Sequence, residues 1–152
     1  MSSAFDPATF LDASISEPTT ARPPLAPGDY LATISDLKAG SWQGKQDPSK
    51  SGAKFDVHLK VQVTDPAQQA VIGGSELIMF DTIMLDTTPS GGIDNSPGKN
   101  SKLRRYREAL DMNQAGVSFV PRQMIGRTLK VRVAHEPYQG EMKDKIDAVA
   151  RA

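Results

Sequence analysis

Trp42 is the only tryptophan in the chain. It lies between Lys38 and Lys45, with Lys50 and Lys54 beyond, on a segment interrupted by Gly40, Gly44, Pro48 and Gly52. An aromatic plane among cations suits sequence-tolerant binding of single strands: stacking of bases is worth about 1–3 kcal/mol each, and lysines hold the phosphates. The same ring could instead fold back as a plug on the end of the core, and at this point both readings stand. A second candidate is Ser96–Pro97–Gly98–Lys99–Asn100–Ser101–Lys102, where glycine permits close backbone approach and the N–H groups of a helix start attract anions. It is not a Walker A motif, because Ile93 stands where that motif needs glycine and Asn100 where it needs Ser or Thr. Phosphate contact by Lys99, Lys102, Arg104, Arg105 and Arg107 is therefore expected, and nucleotide hydrolysis is not. Asp81, Asp86, Asp94 and Asp111 could gather a hard cation, but no recognised ligand spacing links them. With no cysteine, only His58 and His135, and no legible Ser/His/Asp arrangement, the chain is read as a non-enzyme without metal or cofactor.

Charge sharpens this reading. The 152 residues carry 18 Lys plus Arg and 18 Asp plus Glu, so no global field advertises a nucleic acid, a membrane or an acidic partner. The signs are nevertheless sorted: residues 38–62 hold five cations and two anions, 63–98 none and five, 99–107 five and none, and 122–135 four and none. Any one such run is an ordinary solvated face. Together they put cations on the first inter-strand loop, on a helix start and on a late strand that carries Lys130 and Arg132.

The elements that must position these residues follow from periodicity. Residues 1–27 hold Pro18, Pro23, Pro24 and Pro27 and read as an arm, flexible or docked; Asp6–Pro7 has the order of a cap and a first-turn proline, with Phe5, Phe10 and Leu11 giving a short apolar helix. Residues 28–152 read as one domain. Tyr30, Ala32 and Ile34 alternate in a first strand that leads into the glycine-rich loop. Phe55, Val57, Leu59, Val61 and Val63 alternate with Asp56, His58, Lys60, Gln62 and Thr64, the period of a half-buried strand that turns His58 and Lys60 outward. Asp65–Pro66 and Gly73–Gly74 read as a break before a third strand, Leu77 to Leu85, apolar on both faces apart from Asp81 and Thr82. With Ile78, Phe80, Thr82 and Met84 facing the core, Leu77, Met79, Ile83 and Leu85 would form an outward row for the arm or a second copy to cover. Leu103, Tyr106 and Leu110 mark a helix that opens at Asn100 or Ser101; Leu129, Val131 and Val133 mark a fourth strand, and Lys145 to Ala150 a fifth. Three strands, one helix and two strands suit an all-β domain of the OB type, a five-stranded Greek-key barrel with the helix between strands 3 and 4.

Pro27–Gly28–Asp29–Tyr30 opening the first strand, Phe55 to Val63, the helix Lys102 to Met112, Ile125–Gly126–Arg127–Thr128–Leu129–Lys130–Val131, and the turn Tyr138–Gln139–Gly140 together resemble the phage-encoded OB-fold single-stranded-DNA-binding proteins of replication and recombination modules. The resemblance covers about residues 27–150, with the Pro/Gly insert at 87–100 and the arm departing from it. It implies binding of single-stranded DNA with little sequence preference, in the cytoplasm of a bacterial host, with self-association and replication or recombination proteins as partners and no membrane. Trp42 and Tyr138 would stack bases; Lys38, Lys45, Lys54, His58, Lys60, Lys99, Lys102, Arg104, Arg105, Arg107, Lys130 and Arg132 would line the phosphate path. The competing expectation is a protein-interaction module, a phage accessory or inhibitor of a host protein, that uses the apolar third strand.

Overall fold

The computed structural model describes residues 5–152; residues 1–4 of the expected arm lie outside the described residues. Five strands, β1 (Gly28–Gln43), β2 (Ser51–Gln62), β3 (Glu76–Leu85), β4 (Thr128–Tyr138) and β5 (Glu141–Ala150), form one antiparallel sheet in the order β3-β2-β1-β4-β5. Three α-helices, α1 (Pro7–Phe10), α2 (Pro66–Ile72) and α3 (Ser101–Ala109), and one 3-10 turn, Pro121–Met124, accompany them among the described residues. The sheet curls so that its two edge strands approach each other, and α3 lies across the gap between them. Inside the curl, Ala32, Ile34, Val57, Leu59, Val61, Ile83, Leu129, Val131 and Val133 pack with Leu103 and Tyr106 of α3 and with Met124. The described residues thus form a mostly β fold, one curled five-stranded antiparallel sheet compatible with a barrel-like architecture, and no helix among them is long and apolar enough to cross a membrane.

The phase of β3 is the reverse of the expected one. Met79 and Ile83 are buried with Leu77 and Leu85 partly so, while Ile78, Phe80 and Met84 are exposed. Residues opposite one another in an antiparallel pair share a face, and pairing with β2 sets Met79 against Leu59, Asp81 against Val57 and Ile83 against Phe55. The clear alternation of β2 therefore decides a strand whose own residues are apolar on both sides. Asp81, carried inward with that phase, is satisfied there: Tyr106 donates its O–H to Oδ2 at 2.6 Å, and Lys102 Nζ donates to Oδ1 at 2.9 Å and to the Thr82 carbonyl at 2.7 Å. Burial first, then the adjacent Asp81 carboxylate, pushes the Tyr106 phenol far above its ordinary pKa, so it stays a neutral donor.

Two expected loops are ordered. β1 does not end near Ser35 but runs to Gln43, paired with β2 as far as Gln43 opposite Ser51 after a bulge between Ile34 and Asp36. The expected break at 65–74 is α2, with Asp65 accepting the Ala67 N–H at 3.0 Å, Pro66 at its first position and Gly73 in the left-handed conformation (φ 77°) at its end. Asn100 takes the place before α3 but spends its side chain elsewhere. Its Oδ1 accepts the Asp86 N–H, and its Nδ2 donates to the carbonyls of Asp86 and Asp94, so this buried amide ties the two ends of the insert together.

The end of the arm belongs to the fold. Leu25 is fully buried; its N–H donates to Asp144, and its carbonyl is 2.7 Å from His135 Nε2. Arg22 forms a two-pronged pair with Asp144, and the Ala26 N–H donates to Gln68 of α2. Burial alone would raise the Asp144 carboxyl, but Arg22 and the Leu25 N–H outweigh it and hold the pKa below the ordinary carboxylate value. A depressed folded-state pKa gives stability that is present above the unfolded value of about 4 and is lost as pH falls through the folded one. Asp144→Asn is accordingly expected to lower the melting temperature by the equivalent of about 1–2 kcal/mol at neutral pH, with parent and variant converging below about pH 4. A constant gap across thermal scans from pH 7 to pH 2 would show that the carboxylate charge is not what holds the arm.

Candidate nucleic-acid interface

The outward residues of β1, β2 and β3 form rows across the sheet. From the hairpin end these are Trp42 and Gly52; then Gly40, Lys54 and Met84; Lys38, Asp56 and Thr82; Asp36, His58 and Phe80; and Thr33, Lys60 and Ile78. Five of the residues singled out from sequence, Lys38, Trp42, Lys54, His58 and Lys60, thus share one face. Lys45 sits in the turn between β1 and β2, beyond Trp42, and Lys130 lies outward on β4 opposite Leu31.

The main aromatic of this face was not among the expected site residues. Phe80 is 65% exposed and meets the His58 ring edge-on, with centroids 4.8 Å apart. Its exposure was hidden because the expected phase of β3 turned it inward; the signal that could have found it was the alternation of β2, had the hairpin register been known. Ile78 and Met84 flank it on the same strand and are also exposed.

Trp42 takes neither of the two places expected of it. It is neither loop-borne nor part of the buried core; it lies on β1, partly exposed, with its indole against Gly52 of β2. A Cβ built on Gly52 would stand 2.7 Å from Nε1 and 3.0 Å from Cε2 and Cζ2, and Nε1 is buried there without a hydrogen-bond partner among the described residues. Gly52 is therefore the seat of the ring. Gly52→Ala is expected to dislodge the indole, seen as a red shift of the sole tryptophan emission and about a 1 kcal/mol loss of stability, the scale of a small overpacking change. Unchanged emission would mean the ring does not depend on that seat.

The remaining candidates are dispersed. Lys102 is committed to Asp81 at the sheet edge. The Arg107 guanidinium stacks 4.2 Å over the Phe119 ring and donates Nε–H to the Met112 carbonyl, and Arg104 faces Glu108 at 3.7 Å. The basic start of α3 thus supplies Lys99 and Arg105 without ion partners among the described residues, rather than five open cations. Arg132 pairs with Asp29 at 3.3 Å. Tyr138 is half exposed at the β4–β5 turn under Lys143 Nζ, 5.0 Å from its ring centre, and the register carries it past the start of β1, away from Trp42. Asp86 and Asp94 serve the loop through Asn100 and Ser96, and no cluster of metal-ligating side chains occurs among the described residues.

Lys54 is paired with Asp56 at 3.3 Å and Lys60 with Glu76 at 4.0 Å, whereas Lys38 has no ion pair among the described residues. Such exposed pairs are worth at most about 1 kcal/mol, so an incoming phosphate can replace them. The face can therefore offer flat apolar surface for bases with cations alongside. No protein-family model matches the chain, and no curated protein matches it either.

Proposed function

We propose that this chain is an OB-like barrel that binds single-stranded DNA with little sequence preference, in support of phage-type replication or recombination. The observation that carries this reading is the outer face of β1–β2–β3, where Phe80, His58 and Trp42 stand among Lys38, Lys54 and Lys60. The strand order, the lengthened β1–β2 hairpin and α3 between β3 and β4 in the chain agree with that fold, whose strand 2–3 face and hairpin loops take oligonucleotides. Stacking reads only a π-face, so little base preference follows.

A second reading has its own support. The exposed row Ile78, Phe80 and Met84 on an edge strand would equally suit a protein partner. Fluorescence anisotropy of labelled single- and double-stranded oligonucleotides at 50 and 200 mM salt separates the two. About four phosphate contacts on a single strand give a roughly 50-fold loss of affinity over that range. Binding confined to single strands with that slope supports the proposal, and absence of binding at low salt rejects it.

A further inference from the structure

Among the described residues, two of the exposed apolar surfaces stand without a partner. One is the Ile78–Phe80–Met84 row on β3; the other is the arm, where Phe10 is 63% and Leu11 93% exposed, and Phe5 and Phe10 pack edge-on at 4.8 Å around the Asp6-capped turn of α1. We propose that the α1 segment of the arm docks in cis on the outer face of β2–β3, as a strap over the Phe80 row.

Two observations argue for this occupant, and charge does not oppose it. The first is the tether: the arm is pinned by Arg22, Leu25 and Ala26, and the Ala26 N–H is held by Gln68 of α2, the helix that joins β2 to β3. Ala26 therefore sits at the Gln62–Glu76 end of the face, from which Phe80 lies four residues or about 13 Å along β3, while the free arm leaves from Arg22 at Asp144 of β5, four residues before Ala26 and so within about 14 Å of it. The eleven residues 11–21 span up to roughly 36 Å when extended, so the reach exceeds the need. A short tether of this kind gives the arm an effective concentration of the order of millimolar, which a second copy at working concentrations does not match. The second is apolar content: two aromatics and a leucine in seven residues oppose three large apolar side chains, so docking removes both from water. As to charge, the described arm before Arg22 carries only Asp6, Asp12 and Glu17, while Lys38, Lys54, Lys60 and His58 stand against Asp36, Asp56 and Glu76 on the face. The face is close to neutral, so the carboxylates meet no net repulsion and the apolar match decides.

This inference does not depend on DNA. If the binding proposal also holds, strap and strand compete for one face. The chain has no cysteine, so Ser14→Cys in the full-length protein gives a single site for a nitroxide label. The expected result is selective broadening of the amide signals of His58, Phe80 and Met84 over those of β4, abolished by Phe10→Ser with Leu11→Ser. Those two substitutions touch no buried residue, so the fold persists. Uniform or absent broadening overturns the strap. Broadening that appears only when spin-labelled and isotope-labelled molecules are mixed also overturns it, by assigning the arm to a second copy.

Discussion

Asp81→Ala is expected to lower stability by about 2–3 kcal/mol, because it strands the O–H of Tyr106, a residue only 1% exposed, without an acceptor. For a chain of this size that is a fall of roughly 6–10 °C in melting temperature. The same change frees Lys102, but that side chain is 42% exposed and can turn to water, so the phenol is the larger part of the effect. Tyr106→Phe removes the donor instead and leaves Asp81 its lysine, so its cost should be nearer 1 kcal/mol. The double variant should then be little worse than Asp81→Ala alone, since an apolar ring edge needs no acceptor. Thermal or urea melts of the three variants test this ordering. Equal, small losses for both single variants would mean that the contact does not hold α3 to β3.

Phe80→Ala and Trp42→Ala are expected to weaken single-strand binding by about 1–3 kcal/mol each. Each loss is therefore roughly 5- to 150-fold in affinity. Neither side chain belongs to the buried core, so the melting temperature should move little for Phe80→Ala. Their rows meet β2 at His58 and Gly52, six residues or about 20 Å apart along the strand. At that distance the two losses should add. Arg107→Ala offers the contrast: its stacking on Phe119 and its bond to the Met112 carbonyl make it a structural residue, so it should lower stability with little specific effect on affinity. If the sheet-face variants bind normally while Arg104→Glu with Arg105→Glu abolishes binding, the interface lies on α3 and the sheet-face proposal fails.

Periodicity and end signals were enough, in this sequence, to find the five strands, the helix that covers the core and the outward setting of His58 and Lys60. These follow from the alternation of Phe55 to Val63 and of Leu129 to Val133, and from the spacing of Leu103 and Tyr106, all of which act within one element. The α1 turn was equally legible, because Asp6–Pro7 is a local capping signal. Other features were decided between elements. An apolar run such as Leu77–Leu85 has no phase of its own, and only its register with β2 turned Phe80 out and Asp81 in. Glycines that locally read as a loop became the far half of a hairpin, because cross-strand pairing and the fit of Trp42 on Gly52 are contacts between residues eight or more apart. The cations of α3 looked alike as letters, yet Lys102 and Arg107 were taken by Asp81 and by Phe119 with Met112, partners that only the folded chain brings near. Residue type and spacing set the local pattern here; register and packing decided which side chains remained free to meet a ligand.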